Sequence, residues 1–255
     1  EAAISPRTKA IFIESIANPG GVICDIEAIA KIARRARVPL IVDNTLATPY
    51  LVKPFDYGAD IVVHSATKFL GGHGNSLGGL IVDGGSFDWL ADKRYPMLSE
   101  PRPEYGGMVL GETFGNFAFA IATRVLSLRD LGPAISPFNA FLLLTGVETL
   151  PLRMQRHSEN AQKVAEHLSG HPAVAWVSYH GLPGDRYHAL AKKYCPKGAG
   201  AVFTFGLKGG YEAGITLVKK LKLFSHLANV GDTRSLVIHP ASTTHRQLSD
   251  EQKKT

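Results

Sequence analysis

Two stretches decide the fold of this chain: Val38-Pro-Leu-Ile-Val-Asp-Asn-Thr45 and Ala59-Asp-Ile-Val-Val-His-Ser-Ala-Thr-Lys68. Each begins with a short run rich in β-branched residues and ends in polar side chains. Short apolar runs of this kind are typical of parallel strands that are buried on both faces. The polar residues therefore follow directly on the predicted strand ends, where the loops of an α/β sheet face a common crevice.

The chain around these stretches extends the same pattern. Ala10–Glu14 is another apolar run, and Asp25–Arg37 has apolar residues at helical spacing behind Asp25, a typical N-cap. A strand, a helix and a strand in this order predict a right-handed crossover connection. A further strand is predicted at Gly79–Asp83, so residues 1–85 indicate the later part of an α/β sheet.

The pattern becomes helical at Ser136. Up to Gly170 the spacing of apolar residues predicts two consecutive helices separated near Pro151. The second helix has an apolar stripe made of Ala161, Val164, Ala165 and Leu168. The elements predicted after it are strands at Ala173–Tyr179, Gly200–Leu207 and Arg234–Ile238 and a helix at Tyr211–Lys222. We therefore expect a large domain over residues 1–135, connecting helices over 136–170 and a smaller α+β domain over 171–255.

The composition narrows the class of protein. With 45% hydrophobic residues the chain can bury a large core, which excludes a collagen, a coiled coil and a disulfide scaffold. The net charge of +6 comes from scattered residues that fit exposed helix faces, so no nucleic-acid partner is expected. Cys24 and Cys195 form no CxxC pair. Since neither a membrane-spanning run nor a secretory signal is found, we expect a cytoplasmic protein.

Three predicted strand ends carry polar side chains: Glu14 with Asn18, then Asp43, then Ser65-Ala-Thr-Lys68. Asp43 follows four apolar residues, so its carboxylate starts from a desolvated position and needs a cation or several hydrogen bonds. The alternative interpretation is an aspartate that caps the next segment through Asn44 and Thr45.

Lys68 is flanked by hydroxyls at a strand end, and Gly71-Gly-His-Gly74 follows it. Hydroxyls and loop N–H groups can hold a phosphate, while a lysine in a confined apolar place can act as a nucleophile. Pyridoxal phosphate needs a lysine for its Schiff base, an acid for its pyridinium nitrogen and donors for its phosphate, so this cofactor is predicted. The glycine loop lacks the Gly-Lys-Ser/Thr ending of a Walker A loop, and the spacing of His64 and His73 matches no common metal-ligand pattern.

The motifs resemble the cysteine/methionine-metabolism family of fold type I pyridoxal-phosphate enzymes. The resemblance lies in Val42-Asp-Asn-Thr-Leu-Ala-Thr-Pro-Tyr50, His64–Gly74, Phe138–Leu142, Leu223–Asp232 and Ser235–His245, and so covers essentially the whole chain. It implies the large domain of an aspartate aminotransferase-like fold, in part, followed by part of a smaller α+β domain.

The resemblance also implies roles for single residues. Lys68 would form the Schiff base, and Asp43 would pair with the pyridinium nitrogen. The phosphate would be bound by Ser65 and Thr67. Two further positions match the family: Asn18, near the phenolic oxygen of the cofactor, and Ser235, which helps to orient the substrate carboxylate.

Within the family the last stretch is most similar to the O-acetylhomoserine sulfhydrylases. Arg234-Ser-Leu and Thr243-Thr-His245 stand where cystathionine γ-synthases and methionine γ-lyases usually show Glu-Ser-Leu and Met-Thr-His. The similarity implies a transferase that makes homocysteine and acetate from O-acetylhomoserine and sulfide, and a homotetramer. A γ-synthase, a γ-lyase or a non-catalytic truncated scaffold are the alternatives.

Two parts of the family pattern are not in this sequence. Family members normally supply, upstream, a glycine-containing phosphate loop and a tyrosine that stacks on the cofactor ring. Downstream, they supply an arginine that binds the substrate carboxylate. We therefore expect these 255 residues to be the middle and late part of a longer chain.

Overall fold

The computed structural model describes residues 1–247 and 249, and its main sheet has four strands in the order β1-β2-β3-β4. The strands are β1 (Ile11–Glu14), β2 (Leu40–Asp43), β3 (Ile61–Ser65), β4 (Gly79–Asp83), β5 (Val174–Ser178), β6 (Thr204–Leu207), β7 (Ser225–His226) and β8 (Leu236–Val237). The α-helices are α1 (Ile26–Ala36), α2 (Thr48–Leu51), α3 (Pro96–Ser99), α4 (Leu110–Phe114), α5 (Ala118–Ala122), α6 (Pro137–Glu148), α7 (Leu150–Ser169), α8 (His188–Tyr194) and α9 (Gly210–Lys220). Within these described residues, no helix is both long and apolar enough to cross a membrane.

The first three strands are parallel, as their apolar runs predicted. Glu14 lies opposite Asp43 in the register of β1 and β2, and Asp43 lies opposite Val63 in that of β2 and β3. β4 has the predicted bounds but runs antiparallel to β3, because the chain turns straight back after Lys68 and pairs Gly79 with Ser65. The carboxyl ends of β1, β2 and β3 therefore share one edge of the sheet.

The crossover helix α1 forms as predicted. The Asp25 side chain accepts a hydrogen bond from the Ala28 N–H at 3.2 Å and caps the first turn. Ile26, Ala30 and Ala33 are buried against the sheet, and Arg37 ends the helix in the left-handed conformation. The cap and the apolar spacing are local features, which is why they could be predicted from the sequence.

Helices α6 and α7 are two separate helices that meet at Thr149, two residues before the predicted break at Pro151. Ala161 and Ala165 of the predicted stripe are buried, whereas Val164 is 38% exposed. The buried face of α7 continues instead towards the helix N-terminus, through Leu150, Met154 and Ser158.

The last third of the chain has shorter strands than predicted. Only Thr204–Leu207 of the predicted strand from Gly200 pairs with β5, and only Leu236–Val237 of the last one pairs with β7. Helix α8 was missed, and its residue Tyr194 is buried in the main hydrophobic cluster together with Leu143 and Met154. The division into three parts stays a prediction.

Candidate functional site

The site is built where β2 and β3 end side by side. The Asn44 N–H donates to the Val63 carbonyl at 2.9 Å, which extends the pairing of the two strands by one step. The Asp43 carboxylate accepts the Thr45 N–H at 2.9 Å, and the Thr45 hydroxyl accepts the Ser65 N–H at 2.8 Å. Capping of the next segment by Asp43, the alternative interpretation, therefore occurs through one carboxylate oxygen.

Buried hydrogen bonds fix this edge from below. Asn44 is fully buried, and its carboxamide oxygen accepts the Ser15 hydroxyl at 2.7 Å while its amide donates to the Val52 carbonyl at 2.9 Å. Polar groups that are hydrogen-bonded in this way have a small free-energy cost of burial, and their directional bonds favour one arrangement of the strand ends. The carboxylate of Asp43 is thus presented by a rigid strand end rather than by a free loop.

Lys68 lies in a single π-helical turn, Ala66–Leu70, that begins directly after β3. The backbone is non-helical at Lys68 itself, with φ −89° and ψ −127°, so the turn is kinked at this residue. The Lys68 side chain is half-buried, and its Nζ donates to Oδ1 of Asn229 at 3.0 Å. Thr67 closes the loop that follows, because its hydroxyl accepts the Gly78 N–H at 3.1 Å and lies 3.3 Å from the Gly78 carbonyl.

Glycines allow the loop after Lys68 and helix α6 to approach each other closely. A Cβ on Gly146 of α6 would stand 2.1 Å from the Gly71 carbonyl oxygen, so the helix can touch this loop only because the position is glycine. Gly72 has φ +75°, a conformation that side chains disfavour. The loop therefore packs backbone to backbone against α6.

Arg153 also belongs to this site, although the sequence predicted no role for it. Its guanidinium donates to the carbonyls of Phe69 at 2.7 Å, Leu70 at 3.1 Å and Gly146 at 2.7 Å. These bonds satisfy the last carbonyls of the Lys68 turn, and burial lowers the pKa of Arg153. The available signal was an arginine three residues after the buried Leu150, one turn further along α7.

The segment 229–234 covers the Lys68 turn from another side. A Cβ on Gly231 would stand 2.4 Å from the Phe69 nitrogen, and the Thr233 N–H donates to the Gly72 carbonyl at 2.9 Å. The buried Asp232 carboxylate pairs with the Arg234 guanidinium at 2.9 Å. The contacts of Gly231 and Thr233 with the Lys68 turn join residues that are far apart in the sequence, so no local sequence pattern predicts them.

Asn18 and Ser235 are more exposed than Lys68 and the residues that surround it. Asn18 is exposed, and its N–H donates to the Glu14 carboxylate at 2.9 Å, which puts it at the carboxyl end of β1, the strand next to β2. Ser235 is exposed, and its carbonyl accepts the Ser225 N–H at 2.9 Å. The described contacts do not bring either side chain to Lys68.

His64 is a buried residue of β3 rather than a surface ligand. Burial lowers its pKa, while the negative charge of Asp43 acts in the opposite direction. His73, by contrast, is exposed. Among residues 1–247 and 249, no group of three or more His, Cys, Asp or Glu residues is placed to hold a metal ion.

Comparison with known proteins identifies the family. Residues 1–255 match the family described as Cys/Met metabolism PLP-dependent enzyme. The chain belongs to this family. A crystal structure at 2.35 Å of a Campylobacter jejuni protein assigned as an O-acetylhomoserine (thiol)-lyase superposes with a TM-score of 0.93 and 43% identity. It covers 99% of this chain and carries N'-pyridoxyl-lysine-5'-monophosphate, and the chain covers 60% of it. The prediction of a partial fold type I enzyme is thereby confirmed.

Relatives from this family include homocysteine synthase of Schizosaccharomyces pombe, which is 55% identical over 98% of this chain. O-acetyl-L-homoserine sulfhydrylase of Leptospira meyeri is 53% identical over 97% of it. The chain spans 59% and 58% of the lengths of these two relatives. Both names fall in the branch of the family that the sequence motifs indicated.

The polar groups at the sheet edge fit the cofactor on which the family depends. They comprise the primary amine of Lys68, the carboxylate of Asp43 on the adjacent strand and the hydroxyls of Ser65 and Thr67. An amine, an acid and hydroxyl donors are the three kinds of group that pyridoxal phosphate requires. The prediction of this cofactor is confirmed for the family.

Proposed function

We propose that the protein transfers sulfide to O-acetylhomoserine and releases homocysteine and acetate, using pyridoxal phosphate. The observation that carries this proposal is the half-buried Lys68 at the end of β3, beside the strand that presents Asp43, in a chain 55% identical to a homocysteine synthase. Small-molecule substrates also suit a site at the carboxyl edge of an α/β sheet.

Lys68 is proposed as the residue that bonds the cofactor covalently, and Asp43 as the acid that holds a proton on the ring nitrogen. The Thr45 N–H donates to the Asp43 carboxylate at 2.9 Å, so the carboxylate group is held in one orientation. A fixed charge at a strand end can keep a bonded proton in place without reorganisation when the reaction occurs.

Ser65 and Thr67 are proposed as the groups that bind the phosphate. Ser65 is the last residue of β3 and Thr67 directly precedes Lys68, and both are half-buried. Hydroxyls held in this way bind anions through short hydrogen bonds. Asn18 is proposed near the phenolic oxygen and Ser235 near the substrate carboxylate, and for these two the support is the family motif.

When bound, pyridoxal phosphate withdraws electrons from the amino acid, which allows acetate to leave from Cγ and sulfide to add there. The chain supplies the proton transfers. Lys68, once free, would remove a proton from Cα and one from Cβ before acetate leaves and return a proton to each carbon after sulfide adds, because its amine lies at the edge where the substrate would bind. Asp43 keeps the ring nitrogen protonated during these transfers.

A homotetramer is part of the proposal, as the family resemblance implied. Support comes from α6, whose exposed face carries Phe138, Phe141 and Leu144, the second of them 63% exposed. Apolar side chains three residues apart make a continuous stripe on a helix. Stripes of this size are typical of surfaces that another chain covers.

The activity is tested by offering purified protein O-acetylhomoserine with either sulfide or cysteine and analysing the products. Homocysteine from sulfide supports the proposal. Cystathionine from cysteine would indicate a γ-synthase, breakdown of methionine or cystathionine would indicate a γ-lyase, and no turnover would favour a scaffold. In each of those cases the proposed reaction is wrong.

The role of Lys68 is tested separately with a Lys68→Ala variant. We expect the variant to lose the visible absorbance of the lysine-bound cofactor, because no other amine takes its place. Lys53→Ala is a matched control, since Lys53 is an exposed lysine outside the site. A normal spectrum from Lys68→Ala would refute the assignment.

A further inference from the structure

We propose that Asn229 is a positioning residue that holds the amine of Lys68 whenever this amine is not bonded to the cofactor, a role that rests on the proposed function. In that reaction the substrate amine displaces Lys68, and the released side chain must then stay at the site to move protons. A flexible lysine has many other rotamers, so an acceptor that holds its amine in place keeps the amine close to the carbon atoms between which it moves protons.

The contact itself is direct. Lys68 Nζ lies 3.0 Å from Oδ1 of Asn229, and both side chains are half-buried. A carboxamide oxygen accepts a hydrogen bond from an ammonium or an amine but carries no net charge. It can therefore hold the lysine without the strong ion pair that a carboxylate would form, and the amine remains free to leave.

The backbone around Asn229 is fixed against the Lys68 turn. Gly231 packs on the turn so closely that a Cβ would stand 2.4 Å from the Phe69 nitrogen and 2.8 Å from the Lys68 carbonyl carbon. Two residues further, the Thr233 N–H donates to the Gly72 carbonyl at 2.9 Å. The acceptor and the amine thus belong to two segments that touch through their backbones.

The position differs from the one that the sequence motifs emphasise. Ser235 was expected near the substrate, yet it is exposed and its carbonyl bonds to Ser225. Asn229 carried no predicted role. The structure therefore separates the two positions, and variants of each give different results if the proposal is right.

The test uses the cofactor-free protein and measures how fast Lys68 is methylated by formaldehyde and cyanoborohydride, by mass spectrometry of its peptide. We expect Asn229→Ala to raise the rate about three- to tenfold, because the amine loses its hydrogen-bond partner. Asn229→Asp should lower the rate below that of the wild type, since a carboxylate holds the ammonium more strongly. Methylation of Lys53 in the same sample is the internal reference.

Two control variants separate this role from a general loosening of the structure. Asn160→Ala makes the same chemical change on an exposed face of α7. Ser235→Ala removes the side chain that the sequence motif places near the substrate. Both should leave the Lys68 rate unchanged. The proposal is overturned if Asn229→Ala methylates like the wild type, if Asn229→Asp is as fast as Asn229→Ala, or if Ser235→Ala produces the acceleration.

In the protein loaded with pyridoxal phosphate, Asn229→Ala should lower kcat about tenfold with little change in KM, and Asn229→Asp should restore part of kcat. An unchanged kcat would contradict the role. Failure of the proposed function has a different signature: the wild type would not convert O-acetylhomoserine, whereas the methylation rates would still follow the expected order.

Discussion

The hydroxyl of Thr45 accepts the backbone N–H of Ser65 at 2.8 Å and so joins the ends of β2 and β3. The Thr45 N–H is meanwhile bonded to the Asp43 carboxylate at 2.9 Å. One threonine therefore sets the direction of the proposed ring-nitrogen acid and the position of a proposed phosphate ligand. This residue is a support for the site that contacts neither ring nor phosphate in the proposal.

The first prediction concerns this support. Thr45→Val keeps the shape but leaves the Ser65 N–H without its acceptor, which costs about 1–3 kcal/mol. We expect pyridoxal phosphate to bind roughly tenfold more weakly, as measured by absorbance titration. Thr45→Ser retains the hydroxyl and should bind the cofactor like the wild type. Equal affinities for all three proteins would show that Thr45 does not support the site.

The second prediction concerns the charge of Asp43. Asp43→Asn preserves an oxygen for the Thr45 N–H, so the fold should be retained, but it removes the negative charge that would hold the ring proton. We expect kcat to fall by about 10- to 100-fold, because a hydrogen bond to a charged group is lost. Activity and the absorbance spectrum are measured on the same preparation, and undiminished activity would contradict the assigned role.

The sequence predicted those features that depend on neighbouring residues. The Asp25 cap and helix α1 are examples, as are the strands that carry Asp43 and Lys68. Asn229 could not be predicted because its contact with Lys68 joins positions 161 residues apart. Arg153 likewise bonds the Phe69 carbonyl across 84 residues, and such contacts depend on how the elements pack.

The third prediction concerns the two cysteines. Burial raises the pKa of Cys195 to about 12, and burial with the charge of Glu14 raises that of Cys24. At pH 8 thiolates are therefore scarce in the folded protein, so a thiol reagent should label it slowly and Cys24, the more exposed of the two, first. Unfolding in denaturant should release both thiols. Cys24→Ser identifies the faster site, and rapid labelling of Cys195 in that variant would contradict the burial argument.

The fourth prediction concerns acid stability at the start of α1. Hydrogen bonding from the Tyr194 hydroxyl, followed by the Ala28 N–H and the charge of Lys193, lowers the pKa of Asp25 below its ordinary value of 3.8. A lowered pKa in the folded state stabilises the fold above pH 3.8, and this contribution is lost as the pH falls through the lowered value. Asp25→Asn keeps a capping oxygen but cannot titrate. Between pH 6 and pH 3, the free energy of unfolding of this variant should therefore fall less than that of the wild type.

Asp25→Ala provides the comparison for this prediction. It removes the cap as well and should cost about 1 kcal/mol at neutral pH in urea unfolding. If Asp25→Asn loses as much stability on acidification as the wild type does, another carboxylate is responsible for the acid sensitivity.

The last prediction concerns the exposed stripe on α6. Phe141 lies in its middle, between Phe138 and Leu144, so a charge placed there would have to be buried if another copy of the chain covers the helix. Phe141→Glu should therefore lower the molar mass in solution, measured by light scattering, from that of the assembly to that of a smaller species. Leu223→Glu introduces the same charge at an exposed apolar residue outside α6 and should leave the mass unchanged. Because Phe141 is already largely exposed within one chain, its substitution has little to destabilise there, so a loss of mass without a change in melting temperature would assign the stripe to an interface. An unchanged mass would mean that the interface lies elsewhere.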